Sequence, residues 1–361
     1  MTEFDARPVF RVLALDGGGI RGYYTAVLLG HLASHFSGAR ASGVSLDYGR
    51  SFDLVVATST GAILACTLCA GLPIEHVISL YRRKGPEIFP YPAPITWTSL
   101  LWCIRHWRRP SGNAVALRSA LEGEFGSETL GELYLRRGTA LTIQATDLDR
   151  LRARIFRTPH HAQHDGSVLL VDVCMASCAA PILFAPVEVN AMGATRAREV
   201  LGDGGLWANN PAIVALFEAL AMAGPQQEIQ VLSVSTCPSV GRTQQRRDRR
   251  HKGLGYWSNG MRLMHCGLDA QSIATAEVAQ SLVRLLKHPA RVIRLVDPVL
   301  QPGEADELRI DNATSRGFAV MEDLAVRAAR LNIDRANGSS PGEFSLLQDF
   351  FRAPRSPRGS G

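Results

Sequence analysis

The sequence predicts an α/β fold, a mostly parallel central sheet with helices on both faces. Three observations carry that expectation. Short runs of Val, Leu and Ile recur along the chain and alternate with helical stretches, the pattern that parallel strands joined by helical crossovers produce. The first of these runs is apolar at every position but Arg11, close to the pattern of a strand buried on both faces. Glycine-rich loops stand where strands hand over to helices, which places functional loops at the carboxyl ends of the strands.

In order, residues 9–15 read as a buried strand ending at Asp16 and three glycines, followed by a helix over 23–36. Residues 52–57 (FDLVVA) form a second strand, and 61–70, small and apolar, a helix buried on most sides. Pro73 opens a third helix that runs to about Arg83, with proline in its favoured first turn. Residues 85–112, rich in Pro, Trp and Arg, read as an insertion over the sheet edge. Residues 139–146 and 152–157 pair as a hairpin around Asp147-Leu148-Asp149. Further strands are expected at 183–189, 199–201, 228–235 and 291–296, and further helices at 210–222, 261–286 and 315–331. No internal repeat interrupts this order. The expected organisation is one domain over 1–352, its motifs within 9–235 and an extension over 236–352, with a Pro/Arg/Gly/Ser tail at 353–361 that lacks fixed structure.

At 361 residues, 46% hydrophobic and 20% charged, the chain is neither a disulfide-stapled miniature nor a disordered polymer. The net charge of +6 is modest and spread along the sequence and does not by itself argue nucleic-acid binding, so no nucleic-acid polymer is expected as partner. Seven cysteines, an odd number placed mostly in apolar runs and following no secretory signal layout, fit a reducing cytoplasm. The most apolar stretches are short or broken by Pro181 and Pro186, so no membrane span is expected.

Three constellations carry chemistry. The first is Asp16-Gly17-Gly18-Gly19-Ile20-Arg21-Gly22 after the first strand. Gly17, Gly19 and Gly22 also satisfy G-x-G-x-x-G, so a nucleotide-binding module that holds phosphate on this loop is the competing reading. That reading needs an acidic residue at the end of the next strand to hold a ribose, and Asp47 sits instead in a Gly/Ser-rich loop. Bare N–H groups at a helix start equally suit the oxyanion of an ester-hydrolysis transition state. The second constellation, Ala57-Thr58-Ser59-Thr60-Gly61, has the spacing of the nucleophile elbow G-x-S-x-G, with alanine at the first glycine; a hydroxyl helix cap is the plainer alternative. The third, Leu201-Gly202-Asp203-Gly204-Gly205, sets one carboxylate at a strand end among glycines, a pattern an ordinary Asp-Gly turn also gives.

In this order the three motifs resemble the patatin-like phospholipase family, whose pattern is a DGGGxRG loop, a GxSxG elbow and a DG[GA] aspartate. The segments 84–90 (KGPEIFP) and 176–184 (ASCAAPILF) extend the resemblance, which covers about residues 9–235. It implies a three-layer α/β fold and a phospholipase that uses a Ser-Asp dyad without metal or cofactor. Ser59 is then the nucleophile and Asp203 the base. The N–H groups of Gly18, Gly19 and Thr60 form the oxyanion hole, while Asp16, Gly17 and Arg21 support the loop. A Ser-His-Asp triad is the rival, but none of the ten histidines sits in a glycine-rich strand end. Bacterial members of about this length are similar to anti-phage effectors switched on by cyclic dinucleotides. That similarity implies a cytoplasmic enzyme that associates peripherally with the inner membrane, meets a phospholipid surface, takes a cyclic dinucleotide activator and forms homo-oligomers.

Other features stay open. Trp97, Trp102 and Trp107 with Arg105, His106, Arg108 and Arg109 suit either a lipid interface or a cap on the sheet. Residues 242–252 (RTQQRRDRRHK), with Arg242, Arg246, Arg247, Arg249 and Arg250, read as a solvated loop or as an anion-binding regulatory element. His160, His161 and His164 read as a solvated loop cluster in preference to a metal site, and Cys66, Cys69, Cys174 and Cys178 as core residues.

Overall fold

The computed structural model describes residues 9–37, 46–90, 109–190, 198–238, 261–338 and 343–351. The tryptophan patch apart from Arg109, the arginine run at 242–252 and the tail at 353–361 lie outside the described residues.

Among the described residues one eight-stranded sheet organises the chain, in the order β5-β6-β3-β2-β1-β7-β8 with β4 also paired to β3. The strands are β1 (Val9–Leu15), β2 (Leu54–Thr58), β3 (Ala140–Asp147), β4 (Arg152–Arg157), β5 (Val187–Asn190), β6 (Arg198–Asp203), β7 (Glu228–Val234) and β8 (Ala290–Arg294). β3, β2, β1, β7 and β8 run parallel; β4 and β6 pair antiparallel with β3, and β5 pairs antiparallel with β6. The expected α/β class with a mostly parallel sheet is borne out. Side chains alternate across it: Leu13, Leu15, Val55 and Ala57 enter one apolar core, and Phe10, Val12, Ala14, Leu54 and Val56 the other.

The larger core is closed by α1 (Gly22–Phe36), α2 (Thr60–Cys69), α3 (Ile74–Ile88), α4 (Ala114–Phe125), α5 (Leu130–Arg137), α6 (Leu170–Ser177) and α9 (Ser315–Ala336). The opposite face is covered by α7 (Ala212–Met222) and α8 (Met261–Val283).

Three differences from expectation have local causes. α3 runs on to Ile88 through Pro86, so 85–88 are helix and not the start of an insertion; Gly85 is packed so closely that a Cβ there would lie 2.7 Å from Ile20 Cδ1. The strand expected from 183 starts only at Val187, because Leu183 and Phe184 donate their N–H groups back to Ala180 O in a tight turn. Helices α4, α5 and α6 were not anticipated. α6 is apolar on nearly every side and shows no period, whereas α5 begins with a legible capping box, Thr129 to Glu132.

The register at β3 decides where the site forms. β4 occupies one edge of β3 from Thr142 to Asp147, so β2 and β6 share the other edge end to end. Thr58 pairs with Gln144 and Asp203 with Ala145, on consecutive rungs. The residue that follows β2 therefore meets the residue that ends β6.

Candidate active site

Ser59 is that first residue. It links β2 to α2 with φ 54 and ψ −125, a conformation that non-glycine residues rarely adopt and that surrounding contacts must hold. Ser177 Oγ accepts its N–H at 2.8 Å and donates in turn to Gln144 O at 2.6 Å. Ala62 N–H donates to Ser59 O at 2.8 Å. Thr58 Oγ donates to Ala208 O at 2.6 Å. Gly61 lets α2 start against the end of β1, since a Cβ there would fall 2.6 Å from Leu15 O. Ala57, in place of the elbow's first glycine, is fully buried in the larger core, so the turn closes with that methyl inside.

Asp203 ends β6 with both carboxylate oxygens engaged. Oδ2 accepts from Ser59 Oγ at 2.7 Å and Oδ1 from Gly205 N–H at 2.6 Å. Its backbone is fixed by Ala179 O at 2.9 Å and by Thr146 Oγ at 2.7 Å. Burial pushes its pKa up to about 6, against the lowering pull of the Ser59 and Gly205 hydrogen bonds. No histidine lines the cleft around this pair among the described residues, so the geometry gives no support to a triad.

The glycine loop faces the pair. Gly17 N–H is taken by Asn209 O at 2.9 Å and Ile20 N–H by Ile310 O at 2.9 Å, while Thr236 Oγ donates to Gly17 O at 2.7 Å. Between these ties Gly18 and Gly19 line the same cleft as Ser59, Thr60 and Asp203. Gly19 has φ +59 and lies against Ile310 O, where a side chain does not fit. Arg21 is buried, with Nε on Gly18 O at 3.4 Å and Nη1 3.7 Å from Asp269. Asp16 is also buried, and both its carboxylate oxygens accept from Arg294 on β8. Burial raises its carboxyl pKa and the guanidinium pulls it back part of the way.

Above the pair opens a cleft whose walls are formed by apolar side chains including Ile63, Leu80, Ile88, Leu117, Leu121 and Phe184. An apolar cleft that ends on a hydroxyl bonded to a carboxylate, beside bare backbone at a helix start, suits ester cleavage in a long-chain substrate.

Sequence reasoning missed Arg294, Ser177 and Tyr81. Arg294 gave no clear local signal, because Arg291 stands in the same strand (ARVIR) and only the tertiary contacts tell the two apart. Tyr81, which bonds Thr60 Oγ, reads in sequence as an ordinary core aromatic. Asp47 caps a one-turn helix and pairs with Arg137, far from the geometry of a ribose ligand. His160 departs from the expected solvated cluster, because its side chain is 1% exposed beside Glu218. No group of three or more His, Cys, Asp or Glu side chains is arranged to hold a metal ion among the described residues. None of their helices is long and apolar enough to cross a membrane.

Residues 13–216 match the family model described as patatin-like phospholipase, and the chain belongs to that family. It is a lipid acyl hydrolase. It is 31% identical over 70% of its length to a cGAMP-activated phospholipase of Pseudomonas aeruginosa, covering 70% of that protein. It is 28% identical over 97% of its length to a cGAMP-activated phospholipase of Escherichia coli, covering 95% of it. Among solved structures, human GIVD cytosolic phospholipase A2 aligns with a TM-score of 0.43 at 11% identity, over 95% of this chain and 60% of that one.

Proposed function

We propose that the protein cleaves ester-linked fatty acids from membrane phospholipids through a Ser59–Asp203 dyad. The observation that carries this reading is the 2.7 Å hydrogen bond from Ser59 Oγ to Asp203 Oδ2 at the base of an apolar cleft. Ser59 Oγ attacks the ester carbonyl while its proton passes to Asp203. The N–H groups of Gly18, Gly19 and Thr60 receive the oxyanion, and the leaving alcohol takes the proton from Asp203. Water then attacks the acyl-enzyme, again giving its proton to Asp203. As the Ser59 Oγ–acyl bond breaks to release the fatty acid, Asp203 returns the proton to Ser59 Oγ. A carboxyl held at about 6 is ionised at neutral pH yet more basic than an ordinary aspartate, which suits a base that must accept a proton and return it.

The cleft's apolar walls take the acyl chain, and the enzyme works in the cytoplasm at the inner membrane surface. A cyclic dinucleotide switches it on, a reading supported by the two relatives named as cGAMP-activated phospholipases. The basic residues Arg242, Arg246, Arg247, Arg249 and Arg250, in a run that precedes α8, supply paired guanidinium groups for such a dianion. The test is to titrate cGAMP and other cyclic dinucleotides into the purified protein on calcium-free phospholipid vesicles, following fatty-acid release and particle size. The expected result is release that rises steeply with one nucleotide and with assembly into larger particles. Full activity without nucleotide, unchanged by each of them, contradicts the switch; no release under any condition contradicts the phospholipase reading.

A further inference from the structure

The turn that follows α6 has two unlike sides. Leu183 and Phe184 are buried and line the cleft, with the Phe184 ring 5.8 Å from that of Phe89. Pro181, Ile182, Ala185 and Pro186 are exposed. From Ala176 to Val187 the chain carries no charge, so the outward side of the turn is as apolar as its inward side. Water is an unfavourable neighbour for such a segment.

The backbone fixes this presentation. Leu183 and Phe184 N–H groups both donate to Ala180 O, at 3.1 and 2.9 Å. Ser111 N–H donates to Ile182 O at 3.1 Å, and Gly112 N–H to Leu183 O at 2.8 Å. At the tip Ile182 has φ 73, a region that a β-branched residue avoids. Packing does not repay that strain, because the side chain is 40% exposed. Leu206, 48% exposed, lines the same cleft and extends the apolar rim. Basic groups stand at its margin: Lys84 lines the cleft, its Nζ paired with Glu87 at 3.0 Å, and the exposed Arg109 lies two residues before Ser111.

We propose that residues 181–186, with Ile182 at the tip, together with Leu206 on the same cleft, form the surface by which this protein docks on a phospholipid bilayer. The inference rests on the phospholipase reading and deepens it. The occupant follows from continuity: the rim is unbroken with the walls of a cleft that takes acyl chains, so whatever meets the rim also presents substrate to the cleft. An apolar tip with cations at its edge matches the boundary between acyl chains and anionic headgroups. Docking there sets the mouth of the cleft against the membrane, and the strained turn holds Ile182 outward before contact.

The test uses Ile182→Asp, since aspartate tolerates the left-handed region and leaves the backbone of the turn in place. Binding is read by flotation with vesicles of phosphatidylethanolamine and phosphatidylglycerol, on full-length protein also carrying Ser59→Ala so that lipid is not consumed. Activity is read with Ser59 intact, on the same vesicles and on a soluble butyrate ester. The expected result is a loss of about fivefold or more in vesicle binding and vesicle hydrolysis, with butyrate hydrolysis within about twofold of the unmodified protein. Pro186→Asp, at the far end of the turn, repeats the measurement should Ile182→Asp melt early. Vesicle binding that survives both substitutions overturns the proposal, as does an equal loss on vesicles and butyrate in a variant that melts normally. Fatty-acid release by the unmodified protein judges the phospholipase reading separately, because flotation needs no hydrolysis.

Discussion

Arg294 closes on both carboxylate oxygens of Asp16 across 278 residues of chain, Nη1 to Oδ1 at 2.8 Å and Nη2 to Oδ2 at 2.5 Å. The same Nη1 donates to Ser233 Oγ at 2.8 Å, which ties the first residue of the glycine loop to β7 and β8 together. Arg294 lies beyond the residues that match the family model, so the glycine loop is held in place by a part of the chain outside the motifs.

Arg294→Gln leaves Asp16 as a buried charge without its partner and is expected to lower stability by about 3–5 kcal/mol. Arg294→Lys keeps the charge but loses the two-pronged geometry, and is expected to fold while turning over more slowly per active site. Thermal melts, with kcat normalised to fluorophosphonate-titrated Ser59, check both. A kcat per site equal to that of the unmodified enzyme would mean that Arg294 only stabilises the fold.

The pH dependence follows from Asp203. Its pKa rises from 3.8 to about 6 on folding, so hydrolysis is expected to fall as pH drops through 6 and the base takes up a proton. Stability runs the other way. The folded state binds that proton more tightly than the unfolded chain, so this contribution is complete below pH 3.8 and is lost as pH rises through about 6. The ionised form at pH 8 costs on the order of 3 kcal/mol. Asp203→Asn is therefore expected to melt no lower than the unmodified protein at pH 8 while losing about 10²–10⁴-fold in rate. Melting curves at pH 5 and 8 beside a pH–rate profile check the pair of effects.

Gly19→Ala is expected to lose about 10²–10³-fold in kcat, the loss typical of one missing oxyanion donor, because φ +59 and the neighbouring Ile310 O leave no place for a methyl. Gly123, on α4 with nothing within 4 Å of an added Cβ, is the control. Gly123→Ala is expected to gain about 0.5–1 kcal/mol and leave the rate unchanged. Parallel melts and kinetics on the two variants check the contrast.

The parallel strands and the three motifs were legible because strand–loop–helix handovers use glycine, a hydroxyl and an acidic residue in fixed order. The element boundaries were less so. The turn in which Leu183 and Phe184 bond back to Ala180 O takes the first residues of the strand expected from 183, and α6, buried nearly all round, has no polar face to give it a period. Of the site, Ser59, Asp203 and the glycine loop announced themselves locally. Arg294, Ser177 and Ile310 did not, because their part depends on register and on contacts between distant segments.

The cleft makes a further demand. Leu117 and Leu121 lie one helical turn apart on α4 and both line it, so Leu121→Trp fills acyl space without touching Ser59. Hydrolysis of long-chain esters is expected to fall about tenfold or more relative to a butyrate ester, in keeping with the effect of overfilling a pocket. Chain-length profiles of the two proteins check this, and a uniform loss at every length would place the acyl chain elsewhere.

The most direct test is to locate the nucleophile. Incubation with a long-chain fluorophosphonate followed by peptide mass spectrometry is expected to place a single covalent adduct on Ser59, with Ser59→Ala unlabelled and unable to release fatty acid from phospholipid vesicles. An adduct on another residue, or substantial fatty-acid release by Ser59→Ala, would contradict the account at its centre.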